Sequence, residues 1–210
     1  MLAAGAFGFA LHPARAADQP VRIVALGDSL TAGFGLPASA AFPAKLEGAL
    51  RAQGMSVSVA NAGVSGDTAS GGLARLDWSV PDATEAVILE LGANDMLRGV
   101  PPAVTGTALE GIVRQLLERH IAILLTGMRS IPNLGLDYVH EFENIYPEIA
   151  AKYGVIFYPF FLESVAGDTA LNQHDGLHPT AVGVERIVAA ILPKAEELVA
   201  QVLKAREAGK

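Results

Sequence analysis

Five short runs of almost unbroken apolar residues punctuate this sequence: VRIVALG (21–27), VSVANAG (57–63), AVILELG (86–92), IAILLTGM (121–128) and VIFYPF (155–160). A strand with one wet face alternates apolar with polar residues, whereas a strand covered on both faces does not. These runs therefore read as buried parallel strands. Helical periodicity fills the gaps between them. Phe42, Leu46, Ala49 and Leu50 share one face of a helix that Gly54 closes, and Ile112, Val113, Leu116 and Leu117 share another before His120. A last helix is expected from about Thr180 through Leu203, with Pro179 in its first turn and a charged tail, KAREAGK, that frays. Strand–helix alternation of this kind gives a three-layer α/β/α sandwich around a five-stranded parallel sheet.

Such sheets bind ligands outside the carboxyl ends of their strands. Four of the runs end there in small or polar clusters: Gly27-Asp28-Ser29, Asn61 to Asp67, Gly92-Ala93-Asn94-Asp95 and Gly127-Met128-Arg129-Ser130. The topology gathers them on one edge. No repeat, low-complexity linker or domain boundary follows residue 17, so residues 17–210 read as a single domain.

Composition removes whole classes of chemistry. The 210 residues include no cysteine, which rules out disulfides, thiolate nucleophiles and cysteine-bound zinc. A formal charge of −7 argues against nucleic acid and against adhesion to an anionic membrane surface. The opening run MLAAGAFGFAL is too short to span a bilayer, and Ala14-Arg15-Ala16 has the small-x-small form of a cleavage site. Residues 1–16 read as a secretory signal peptide with a truncated basic region. A periplasmic or secreted bacterial protein without a stable membrane anchor is expected.

Ser29 follows the first strand, where a hydroxyl serves as a helix cap, a phosphate ligand or a nucleophile. Neither G-x-x-x-x-G-K nor G-x-G-x-x-G is in frame, which weakens the phosphate reading. A nucleophilic serine needs a base. His12 falls in the leader, while His120 and His140 read as surface or packing residues. His178 remains, in NQHDGLHPTAVG, with Asp175 three residues earlier across a glycine turn. An aspartate so placed can accept the imidazole Nδ1–H and leave Nε2 to take a proton. The same D-x-x-H could be half of a metal site, but no second cluster has ligand spacing, and no metal or cofactor is expected. Oxyanion donors are available from the Gly66 N–H and the Asn94 side chain, although either residue also suits an ordinary turn.

The blocks GDSLTAGFG, NAGVSGDT, LGAND and DGLHP, in this order, resemble those of the SGNH, or GDSL, hydrolase superfamily, most closely its bacterial arylesterase and thioesterase I/lysophospholipase L1 branch. The third block reads GAND where some relatives have GGND. The resemblance implies a flavodoxin-like fold with Ser29 as nucleophile, His178 as base and acid, and Asp175 as the orienting acid. Ser29 N–H, Gly66 N–H and Asn94 would form the oxyanion hole. It further implies a serine esterase acting on small aryl or short- to medium-chain acyl esters, thioesters or lysophospholipids. Ile131, Pro132 and Leu134, after the fourth strand, would wall the acyl site, and Phe34 and Trp78 are weaker candidates for the cleft. A carbohydrate deacetylase or a non-catalytic binding protein on the same scaffold are the rival readings.

Overall fold

The computed structural model describes residues 19–209. The expected signal segment, residues 1–16, lies outside them. In chain order the elements are β1 (Val21–Gly27), α1 (Ser29–Ala32), α2 (Phe42–Ala52), β2 (Val57–Gly63), α3 (Ala69–Ala74), α4 (Leu76–Ser79), β3 (Ala86–Glu90), α5 (Ala93–Leu97), α6 (Pro102–Glu118), β4 (Ala122–Thr126), α7 (Leu136–Tyr153), β5 (Ile156–Tyr158) and α8 (Ala181–Ala208). All strand pairs are parallel, in the order β2-β1-β3-β4-β5. This is the doubly wound, flavodoxin-like α/β arrangement, and its direction reverses between β1 and β3. The register sets Gly27 beside both Gly63 and Glu90, so the chain leaves these three strands at one level. A crevice opens there because consecutive connections diverge.

Helices α2 and α8 pack on one face of the sheet, with α3, α6 and α7 on the other. Leu46 and Leu50 of α2 and Ile187, Ile191 and Leu198 of α8 are buried in the first layer; Leu109, Ile112 and Leu116 of α6 and Phe142 of α7 are buried in the second. Each such side chain contributes roughly 1.5–3 kcal/mol when fully buried, which gives the strand ends a rigid base.

The structure departs from the sequence reading at several edges. Strand β2 is an outer strand whose Ala60 and Asn61 are exposed, not a buried one. Strand β3 stops at Glu90 because Gly92, at φ +118°, turns the chain. Pro179 precedes the last helix instead of entering it: its backbone bridges Asn172, and Thr180 is the cap, accepting the Gly183 N–H at 3.2 Å. The expected fraying also fails. Helix α8 runs to Ala208 because Arg206 reaches the Glu85 carboxylate at 2.6 and 2.7 Å and the Gln19 carbonyl at 2.8 Å.

Candidate active site

The turn after β1 is held by its own side chains. Asp28 caps α1, its Oδ1 accepting the Leu30 N–H at 2.9 Å, and Ser29 becomes the first helical residue. Gly27 is obligatory here, since a Cβ would stand 2.1 Å from Thr31 Oγ1 and 2.6 Å from the Glu90 carbonyl. Below the turn, Arg75 donates to carbonyls at the ends of two strands, Gly27 at 2.9 Å and Ala62, the next-to-last residue of β2, at 2.9 Å, and is paired with Asp67 at 2.6 Å.

His178 approaches from the other end of the chain. Its Nε2 lies 2.9 Å from Ser29 Oγ, and its Nδ1 lies 2.6 Å from Asp175 Oδ2. The loop that carries it closes on itself. Gly176 takes φ +70°, Asp175 Oδ1 accepts the Leu177 and His178 N–H groups, and Gln173 N–H donates to the His178 carbonyl. Those donors hold the Asp175 carboxyl down at about 2, chiefly through the His178 backbone and ring. It is an anion throughout the physiological range and fixes the ring with Nε2 toward the serine. Gln173 Nε2 ties this loop to the Phe34 carbonyl, and the Phe34 ring rests 4.5 Å from the imidazole.

Of the candidate oxyanion donors, Ser29 and Asn94 share a cavity with His178, whereas Gly66 is not among the residues that line it. Gly66, at φ +83°, is the third residue of a turn closed by Asp67 N–H to the Val64 carbonyl; a side chain there would be strained. Its own carbonyl accepts from Arg98 at 2.7 Å. Neither the Gly66 nor the Ser29 N–H donates to another described group. Asn94 uses one amide hydrogen on Asp28 Oδ2, at 3.0 Å, which leaves the second to donate elsewhere. The buried Asp95 accepts from the Ala69 N–H and Thr105, joining the glycine and asparagine loops.

A cavity of about 310 Å³ opens over Ser29, Asn94 and His178. Its walls include Met96, Met128, Phe160 and Leu177, and both Ile131 and Pro132 contribute, as the sequence suggested. Leu134 does not. It sits in the 3-10 turn Pro132–Leu134 and packs, half-buried, against the hydrophobic core. Phe34 supports the histidine instead of lining the cavity, and Trp78 is 73% exposed. Among the described residues no cluster of three His, Asp or Glu side chains is placed to hold a metal ion.

Comparison with known proteins identifies the family. The GDSL-like Lipase/Acylhydrolase family pattern matches residues 25–186, from β1 into α8. The chain belongs to this family. Similar GDSL proteins include esterase TesA of Pseudomonas aeruginosa, 35% identical over 94% of this chain and 98% of that protein. Thioesterase 1/protease 1/lysophospholipase L1 of Escherichia coli is 40% identical over 79% of this chain and 77% of its own. The solved structure of AlinE4, an SGNH-hydrolase family esterase, is 49% identical, covers 85% of this chain and 96% of its own, and superposes with a TM-score of 0.72.

Several residues of this GDSL site were not anticipated. Phe160 and Leu177 in the cavity wall carry no local signal, because two separate loops bring them there, whereas Met128 belongs to a cluster expected at this edge. Asp28 stands in the sequence only as part of the cluster after the first strand, and the structure shows it both capping α1 and holding Asn94. Glu90 did leave a trace, as the single charge in AVILELG.

Proposed function

We propose that this GDSL hydrolase is a serine esterase that works through Ser29, His178 and Asp175, with the oxyanion received by the Ser29 and Gly66 N–H groups and the Asn94 amide. The observation that carries the reading is the unbroken chain Ser29 Oγ–His178–Asp175, at 2.9 and 2.6 Å. Ser29 attacks the ester carbonyl as its proton passes to Nε2. The imidazolium is stabilised by the Asp175 anion, then protonates the departing alcohol or thiol. Water, deprotonated by the same nitrogen, attacks the acyl-enzyme and releases the acid and free Ser29.

The cavity volume lies at the small end of the range for ligand sites, ~300–1,000 Å³, and its walls are largely apolar. These features favour aryl or short- to medium-chain acyl esters and thioesters, and they favour an acyl chain over a sugar. We further propose that residues 1–16 are an export signal and that the remainder is one domain acting in the periplasm or outside the cell. No helix among the described residues is long and apolar enough to cross a membrane.

The test is hydrolysis of p-nitrophenyl esters of graded chain length by the wild type beside Ser29→Ala. Turnover that peaks at short or medium chains and falls by 10³ or more in the variant is expected. Equal turnover by both proteins would refute the serine mechanism.

A further inference from the structure

Beneath the nucleophile turn lies a second acid for which the triad has no use. Glu90, the last residue of β3, is 0% exposed, and so is Asp28 beside it. Glu90 Oε2 accepts the Thr31 hydroxyl at 2.8 Å and the Asp28 N–H at 3.4 Å; Oε1 has no partner. The same carboxyl presses on Gly27, where a Cβ would meet Oε2 at 2.7 Å. It therefore contacts the turn at Gly27, Asp28 and Thr31, on both sides of Ser29.

Two buried carboxylates this close cannot both be charged. The hydrogen bonds decide which one keeps the proton. Asp28 receives an N–H on each oxygen, from Leu30 and from Asn94, and donors of this kind favour the anion. Glu90 has one oxygen served and one bare, a poor site for a charge but a suitable one for a hydroxyl.

The other charged or titratable groups around the pair agree with this assignment. The His178 ring is engaged by Ser29 and Asp175. From α7 the Tyr146 hydroxyl donates to the Leu91 carbonyl, and from α5 Asp95 bonds Ala69 and Thr105. Arg75 is engaged by Asp67 and backbone carbonyls. None of them gives Glu90 a cation. Burial and the Asp28 charge accordingly raise Glu90 well above the usual carboxyl range.

We propose that Glu90 is a positioning residue: as a neutral acid it braces the turn that carries Ser29, and it leaves Asp28 as the anion that aims the Asn94 amide at the oxyanion. The inference rests on the esterase reading and adds to it a proton held below the site. Without that proton the two acids repel, Asp28 shifts, and Asn94 loses the acceptor that orients it.

The experiment combines kinetics with spectroscopy on the purified protein. Glu90→Gln mimics the neutral acid and should keep kcat within about threefold of wild type. Glu90→Leu removes the brace and should lower kcat about a hundredfold with KM little changed. If Glu90 works through Asn94, Glu90→Leu combined with Asn94→Ala should be no slower than the worse single variant. A wild-type minus Glu90→Gln infrared difference spectrum at pH 7 should contain the carbonyl stretch of a protonated carboxylic acid. The proposal is overturned by carboxylate bands alone, by Glu90→Gln as impaired as Glu90→Leu, or by losses that multiply in the double variant. A full-rate Asn94→Ala would overturn the oxyanion reading beneath it. A hundredfold loss in Asn94→Ala beside a full-rate Glu90→Leu would overturn the Glu90 inference alone.

Discussion

Asp28 meets two demands at once, and they conflict. Its Oδ1 caps α1 and its Oδ2 holds Asn94, yet it is wholly buried, and burial raises its carboxyl to about 6. Between the unfolded value, 3.8, and that folded one, the unfolded chain loses its proton while the native protein keeps it. Rising pH across this window therefore favours unfolding, and the cost stays constant above it. Asp28→Asn abolishes the titration and retains a good cap. Its Tm should gain a few degrees on the wild type between about pH 4 and pH 6, followed by calorimetry. Activity should move the other way. An asparagine at 28 turns an amide toward Asn94, whose own amide then reverses, and kcat should fall roughly 10²–10³-fold, as when an oxyanion donor is lost. Asp175→Asn should cost more, roughly 10³–10⁴ in kcat, because the imidazole would then hold its proton on the wrong nitrogen.

At the scale of elements, what could be read from the sequence followed from local pattern alone. Strand β1 matched its run residue for residue, because continuous apolar sequence reports burial on both faces. The exposure of β2 depends on strand order, which VSVANAG does not encode. Helices α1, α3, α4 and α5 have four to six residues, less than two turns, so they have no periodicity to detect. In the site, Ser29, Asp175 and His178 were legible because their chemistry requires particular side chains. Leu134 was misplaced because a 3-10 turn, not composition, directs its side chain. The end of α8 was misjudged for a similar reason: KAREAGK looks solvated, but Arg206 finds Glu85 across 121 residues. Removing that ion pair by Arg206→Ala should cost about 1–2 kcal/mol at neutral pH. Arg206 lowers the Glu85 carboxyl below its usual value, so this stabilisation is present above about pH 4.5 and lost as pH falls further. Denaturant midpoints of the two proteins should converge in acid.

For the molecule as a whole, the sheet is a frame that brings distant loops to one edge. Activity by a serine triad needs no metal, so prolonged chelation should leave ester hydrolysis unchanged; loss that zinc or calcium restores would contradict the mechanism. Ser29 and His178, the nucleophile and base of the proposed mechanism, are 149 residues apart, and the histidine loop is anchored by α8, which begins at Ala181 and is fastened at Arg206 to residues beside β1 and β3. The consequence concerns the birth of the protein. On the proposed mechanism, a chain emerging from the ribosome exposes its nucleophile early, but it has no base to activate it until the histidine loop and α8 have been made and docked. Every copy that lacks α8 would then be inert, and ester cleavage would begin only once that helix has locked down.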